Sequence, residues 1–150
     1  MNNYECTPLV QENGDETNFN ITECILENSS ETILEMRVDE KLVGTAEIFF
    51  HDLPIPHYKL SEIYINPDQR SHGYGAKLMK ALEEKISTEN VSGLLFDVVG
   101  INKANAKEAD GMYERHGWIP VPGRDHYMAY NLPEGVDVSV FSVIDRQQAA

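Results

Sequence analysis

Over residues 18–26, 32–38 and 42–50, apolar residues mix with β-branched ones in short runs, the pattern of strands bounded by turns. Asp39-Glu40-Lys41 supplies the turn between the second and third runs, so the first half of the chain reads as a β-meander. A loop with Pro54 and Pro56 covers residues 51–57, and residues 59–65 form a fourth strand that ends at Asn66-Pro67. The period then changes from strand to helix: Leu78, Met79, Leu82 and Ile86 share one face, while Lys80, Glu83, Glu84 and Lys85 are expected to face out. Residues 91–99 are an almost continuous apolar run, expected as a central strand covered on both faces. Ala106, Ala109, Met112 and Tyr113 mark the buried stripe of a second helix, and Gly117 stands where a left-handed cap would end it. Strands over 118–121 and 126–132 follow, joined through Pro122-Gly123. Residues 1–16 show no periodicity and are expected as a loose arm, and residues 133–150 as a tail with one apolar patch at 136–144.

The element order is that of a single α/β (α+β) domain spanning residues 1–150, a length that buries a core without a metal or disulfides. An apolar content of 41% is ordinary for a globular chain, and no stretch approaches the roughly 20 apolar residues that cross a bilayer. The first residues have neither a basic start nor an apolar run, and the expected location is cytoplasmic. Cys6 and Cys24 form no CxxC unit and are expected as free thiols.

Charge narrows the partners. Against 12 basic side chains stand 25 acidic ones, a formal charge of −13, and residues 1–40 hold ten acids with Arg37 as their only base. Such a field repels phosphate backbones and anionic lipid and attracts cations, so neither direct nucleic-acid binding nor membrane binding is expected. A homodimer is compatible with the sequence. His51, His57, His72, His116 and His126 show no ligand spacing, and no metal is expected.

The most informative stretch is Ile63-Tyr-Ile-Asn-Pro-Asp-Gln-Arg-Ser-His-Gly-Tyr-Gly-Ala-Lys-Leu-Met79, a strand that runs through a glycine-bearing loop into a helix. The first turn of a helix has unpartnered backbone N–H groups and the positive end of the dipole, so such a junction holds a diphosphate with few cationic side chains. A dinucleotide fingerprint would need a third glycine where Leu78 stands, and the lysine-bearing P-loop pattern is absent.

Arg70-Ser-His-Gly73-Tyr-Gly75 resembles the acetyl-CoA motif of the GNAT N-acetyltransferases, R/Q-x-x-G-x-G/A after an apolar strand and x-P. The commonest family form has a further glycine where this chain has Ser71. Ala109-Asp-Gly-Met-Tyr113-Glu-Arg-His-Gly117-Trp118 resembles the family's later motif, A-x-x-[LF]-Y-E-[RK]-x-G-[FW], and Tyr127-Met-Ala-Tyr-Asn-Leu132 is similar to its final strand. The resemblance spans about residues 30–132. It implies a mixed, mostly antiparallel central sheet, splayed at its fourth and fifth strands and flanked by helices. It also implies acetyl-CoA as co-substrate and an amine acceptor, either a small cationic molecule or a protein lysine or N-terminus. One departure stands out: the family's helices between the first two strands are replaced by a link of about residues 27–31, which leaves an open cleft as the expectation.

The same resemblance assigns the site. Arg70, Ser71, His72, Gly73, Tyr74, Gly75 and Ala76 would cradle the diphosphate, with Ile63 and Ile65 on the adjoining strand and a backbone N–H near Ile65 bonding the thioester oxygen. Asn105 lies one residue from a family position that contacts the cofactor. Alkylammonium groups titrate near about 10, so a base must take the proton at neutral pH, and Glu62 is the candidate. Tyr113 occupies the usual general-acid position. The plain alternatives are an exposed strand carboxylate for Glu62 and a packed aromatic for Tyr113. Use of a longer acyl-CoA, or binding of an acyl-CoA by an interaction module without turnover, also fits the residues.

Overall fold

A computed structural model describes residues 4–13, 18–27, 29–95, 113–123 and 127–143. The chain divides into two compact units, Met1–Phe49 with Ser61–Lys85, and Phe50–Leu60 with Ile86–Ala150. The hydrogen-bonded strand order is β1-β2-β3-β4-β5-β6-β8-β7, antiparallel throughout its described pairs except β5 with β6. This is the mixed, mostly antiparallel sheet expected.

In the first unit, β1 (Tyr4–Asn13), β2 (Asn18–Leu26), β3 (Glu31–Val38) and β4 (Lys41–His51) run as successive antiparallel neighbours. The expected loose arm is therefore a strand: Tyr4 to Asn13 pairs with Leu26 to Asn18, and only beside Pro8 does the register slip, where the ring removes a backbone donor. Its composition hid it, because an edge strand with polar side chains shows no clean alternation. A disulfide joins Cys6 to Cys24, directly opposite residues with Cα atoms 4.1 Å apart, which corrects the expectation of free thiols. Asp39 and Glu40, at φ 49° and 71°, make the tight β3–β4 turn with Val38 paired to Lys41, as a two-residue hairpin with two left-handed residues requires.

Alternation on β3 buries Thr32, Leu34 and Met36, and β4 contributes Ala46 and Ile48. Helix α1 (Tyr74–Glu89) brings Leu78, Met79 and Leu82, all buried as expected. Lys80 and Glu84 face out, but Glu83 and Lys85 are buried, against expectation. Lys85 reaches Glu23 on β2, Nζ to Oε2 2.7 Å, so its ammonium is desolvated with a partner. A helical wheel cannot display that partner, since it comes from 62 residues away.

In the second unit, the first half of β5 (His57–Ile65) lies parallel to β6 (Ser92–Leu95), from His57 opposite Ser92 to Leu60 opposite Leu95. β8 (Met128–Tyr130) flanks β6 on its other edge and pairs with β7 (Ile119–Pro120). All four β6 residues are buried, the central strand expected, although Val91 precedes the strand and residues 96–99 of the run lie outside the described residues. At Gly93 a β-carbon would stand 2.6 Å from Ile86 Cδ1 and 3.0 Å from the Trp118 ring, which in turn stacks on Tyr130. The expected tail is part of this core: a 3-10 turn at Val138–Val143 seats Phe141, fully buried, against Leu94, Val121 and Ala129.

Beside Phe141 lies a cluster of basic side chains, His57, His51 and Lys59. His57, 2% exposed, bonds Ile55 C=O through Nδ1 at 2.7 Å and stacks on His51 at 5.4 Å. Burial pushes both imidazoles below the ordinary histidine range, and Lys59 adds to the effect on each. A depressed folded-state value means that the neutral ring is favoured, so this stability is complete above the unfolded value of about 6.5 and is lost as pH falls below it. The thermal midpoint is expected to drop between pH 7.5 and 5.5, and His57→Gln to flatten that slope; an unchanged slope in the variant would assign the acid sensitivity elsewhere.

Candidate functional site

The end of β5 is held from two sides. Asn66 donates its backbone N–H to Val43 C=O at 2.9 Å and its side-chain amide to Leu42 C=O at 2.9 Å, closing the ladder between β4 and β5. Gly44 makes this approach possible, because a β-carbon there would lie 2.5 Å from Ile65 Cδ1 and 2.8 Å from the Tyr64 carbonyl. Successive residues of a strand point their N–H groups to opposite edges. Since Asn66 points at β4, Ile65 and Ile63 point theirs away from it.

After β5 the chain makes a 3-10 turn, Pro67–Gln69, with proline at the start where no donor is needed. Arg70 folds back: Nε donates to Ile65 C=O at 3.0 Å and the guanidinium lies 5.6 Å from the centre of the Tyr64 ring. Ser71 and Gly73 both take left-handed backbone, at φ 71° and 78°. Lys77 N–H donates to Gly73 C=O at 3.2 Å, so the amides of Tyr74, Gly75 and Ala76 precede the first helical bond. Among the described residues, nothing but the chain neighbours and the helix's own backbone lies within 4 Å of where β-carbons on Gly73 or Gly75 would stand, and the first turn of α1 carries no acid to oppose an anion. Donors, dipole and open space fit a diphosphate. The structure thus brings together Ile63, Ile65 and the whole of Arg70 to Ala76.

Glu62 lies on the same strand, exposed. Glu62 lies near enough to Glu47 of β4 for the two carboxylates to act on each other. Burial first, then the carboxylates of Glu31 and Glu62, push Glu47 above the usual carboxylate range. Glu47 is not among the site residues expected from the sequence. Its one signal was an acid inside an otherwise apolar strand, and only the β4–β5 register gives that acid a partner.

Tyr113 belongs to the second unit and is 1% exposed, its ring 6.3 Å from that of Trp118. It opens a described helical turn at residues 113–115, while Asn105 and the rest of 96–112 lie outside the described residues. Gly117, at φ 97°, caps that helix: its N–H reaches Glu114 C=O and that of Trp118 reaches Tyr113 C=O, both at 3.0 Å.

The sequence profile of the acetyltransferase (GNAT) family matches residues 1–118. The chain belongs to the GNAT family of acetyltransferases. GNAT structures share its fold. A GNAT acetyltransferase from Staphylococcus aureus is 15% identical with a TM-score of 0.54, covering 71% of this chain and 70% of that one. The Escherichia coli ribosomal-protein-S18-alanine N-acetyltransferase is 17% identical, TM-score 0.53, over 74% and 77% of the two chains. A GNAT acetyltransferase from Elizabethkingia anophelis with acetyl-CoA bound is 12% identical, TM-score 0.52, over 69% and 77%. No curated protein matches the chain significantly.

The family's additional loop glycine now has a physical reason in this chain, since Ser71 occupies a backbone region that costs an L-residue roughly 1–2 kcal/mol. Ser71→Gly should raise the thermal midpoint, by a net of about half a kcal/mol after the greater entropy of the unfolded glycine. Gly73→Ala should lower it and weaken coenzyme A binding in calorimetry by about tenfold, through strain at φ 78° and displaced amides. A Gly73→Ala protein that binds coenzyme A unchanged would remove this loop from the site.

Proposed function

We infer that the protein moves an acetyl group from acetyl-CoA to a primary amine, carried either by a small cationic molecule or by a protein lysine or N-terminus. The observation that carries this reading is the run of amides from Tyr74 to Ala76 that precede the first helical bond, with open space beside Gly73 and Gly75 among the described residues, after a strand that bears the carboxylate of Glu62. Acetyl-CoA is bound in one of the GNAT structures of like fold.

The strand end and loop of the first unit support the following steps. The amides of the α1 first turn hold the diphosphate. The Ile65 N–H, turned away from β4, supplies a donor for the thioester oxygen as it becomes an oxyanion. Glu62 accepts the ammonium proton, the freed nitrogen attacks the carbonyl carbon, and as the carbon–sulfur bond breaks the nitrogen gives up its second proton, which replaces the one delivered to the thiolate. Tyr113 is the candidate that returns a proton to the thiolate, a role carried over from the family motif. Glu47, whose carboxyl is held above the usual range by burial and by the carboxylates of Glu31 and Glu62, adds a further acid beside the candidate base. Glu31, Glu47 and Glu62 together attract a cationic acceptor. A cytoplasmic location completes this proposal.

Release of free thiol from acetyl-CoA is to be measured against polyamines, aminoglycosides and peptides with free lysine or alanine N-termini. Turnover is expected on at least one class, with Glu62→Gln cutting kcat about 100-fold while the coenzyme Kd stays within a factor of two or so. Coenzyme binding without turnover on any acceptor would favour an interaction module, and faster release from longer acyl-CoAs would reassign the donor. Glu47→Gln removes one of the three acids that attract a cationic acceptor, so KM for that acceptor should rise about threefold while the coenzyme Kd holds; an unchanged KM would separate Glu47 from the acceptor.

A further inference from the structure

Three potential ligand atoms meet at the outer edge of the first unit, apart from the loop and carboxylates of the transfer site. Cys6 on β1 and Cys24 on β2 face each other, and Glu35 comes from β3, the next strand. The two sulfurs and a Glu35 carboxylate oxygen all lie within 4.8 Å of one another, with Oε1 3.5 Å from Cys24 Sγ. Cys24 is 3% exposed, Cys6 is exposed, and Glu35 is intermediate, held by Arg37 Nη1 at 3.2 Å from the same oxygen.

The sulfurs are joined as a disulfide. We propose that, once this disulfide is reduced, Cys6, Cys24 and Glu35 form a three-ligand site for a divalent zinc-like cation, so that the edge strand is clasped by a disulfide under oxidising conditions and by metal under reducing ones. A tetrahedral zinc with Zn–S of about 2.3 Å and Zn–O of about 2.0 Å places sulfur and oxygen ligands about 3.5 Å apart, the separation of Cys24 Sγ and Glu35 Oε1. Exposure of Cys6 leaves the fourth position to water. The charge suits a cation, since residues 1–40 carry ten acids against one base.

The chemistry balances with a dithiol as reductant. Two electrons and two protons pass from the dithiol to the Cys6–Cys24 bond, giving two thiols and the oxidised dithiol. Binding of one divalent cation then releases the two thiol protons and leaves two thiolates and one carboxylate on the metal. Arg37 must yield Oε1 or move to the other carboxylate oxygen. Reversal by an oxidant would eject the metal as the disulfide forms.

The test uses the whole chain, stripped of metal with a chelator and reduced with a phosphine. Zinc is titrated by calorimetry, and cobalt(II) serves as a second probe because thiolate ligation adds an intense near-ultraviolet charge-transfer band. One zinc per chain is expected in the reduced protein, with the cobalt band present, and neither after oxidation. Cys6→Ser, at an exposed edge position, should weaken zinc binding at least about 100-fold and Glu35→Gln about tenfold, circular dichroism confirming the fold. A reduced protein that takes up no zinc would overturn the proposal. Uptake equal in the oxidised protein or in Cys6→Ser would do so too, since it would assign binding to scattered surface carboxylates. None of these readouts depends on acyl transfer.

Discussion

The close approach of β4 to β5 at Gly44 governs the candidate site. With a side chain at that position, the Ile65 methyl group and the Tyr64 carbonyl could not both stay where they are. Leu78 of α1 packs against the same point, 3.4 Å from where the β-carbon would stand, so strand and helix are located together. From this contact the rest follows. Asn66 closes the ladder on Val43, the Ile65 amide turns away from β4, and the loop from Arg70 starts at a fixed distance from the helix whose amides it exposes. A phosphate-binding turn and a carboxylate base require such shared indexing, because neither group can find its place from local sequence alone.

The two left-handed loop residues show how a motif becomes geometry. Alternating left-handed positions at Ser71 and Gly73 turn the chain sharply enough for consecutive amides to face one side. Arg70, the motif's cation, uses its side chain on the Ile65 carbonyl and the Tyr64 ring. Its charge therefore lies close to the loop while its donors brace the strand end.

Much of this was legible in the residues. Strand, loop and helix at 59–89, the buried α1 face of Leu78, Met79, Leu82 and Ile86, and the cap at Gly117 each rest on short-range chemistry that a sequence displays. What was hidden rests on pairing between distant segments. Tyr4–Asn13 became a strand because β2 offers it an edge, and Cys6 met Cys24 through that register. Lys85 is buried because Glu23 lies above it, and Phe141 left a nominal tail because a hollow between Leu94, Val121 and Ala129 admits it. Glu47 is the instructive case in the site: its residue type was visible, but its perturbation is a property of the neighbours that two strand registers bring to it.

The proline slip in β1 has a further consequence for how the molecule behaves among its own copies. β1 stands at one end of the strand order and would otherwise offer ten residues of open backbone to any passing strand. Pro8 removes a donor and breaks the register midway, and exposed Glu5 and Glu12 place like charges on an approaching copy. A long outer strand is thereby made a poor template for sheet extension, and the acidity of this end of the chain guards against aggregation as well as drawing cations.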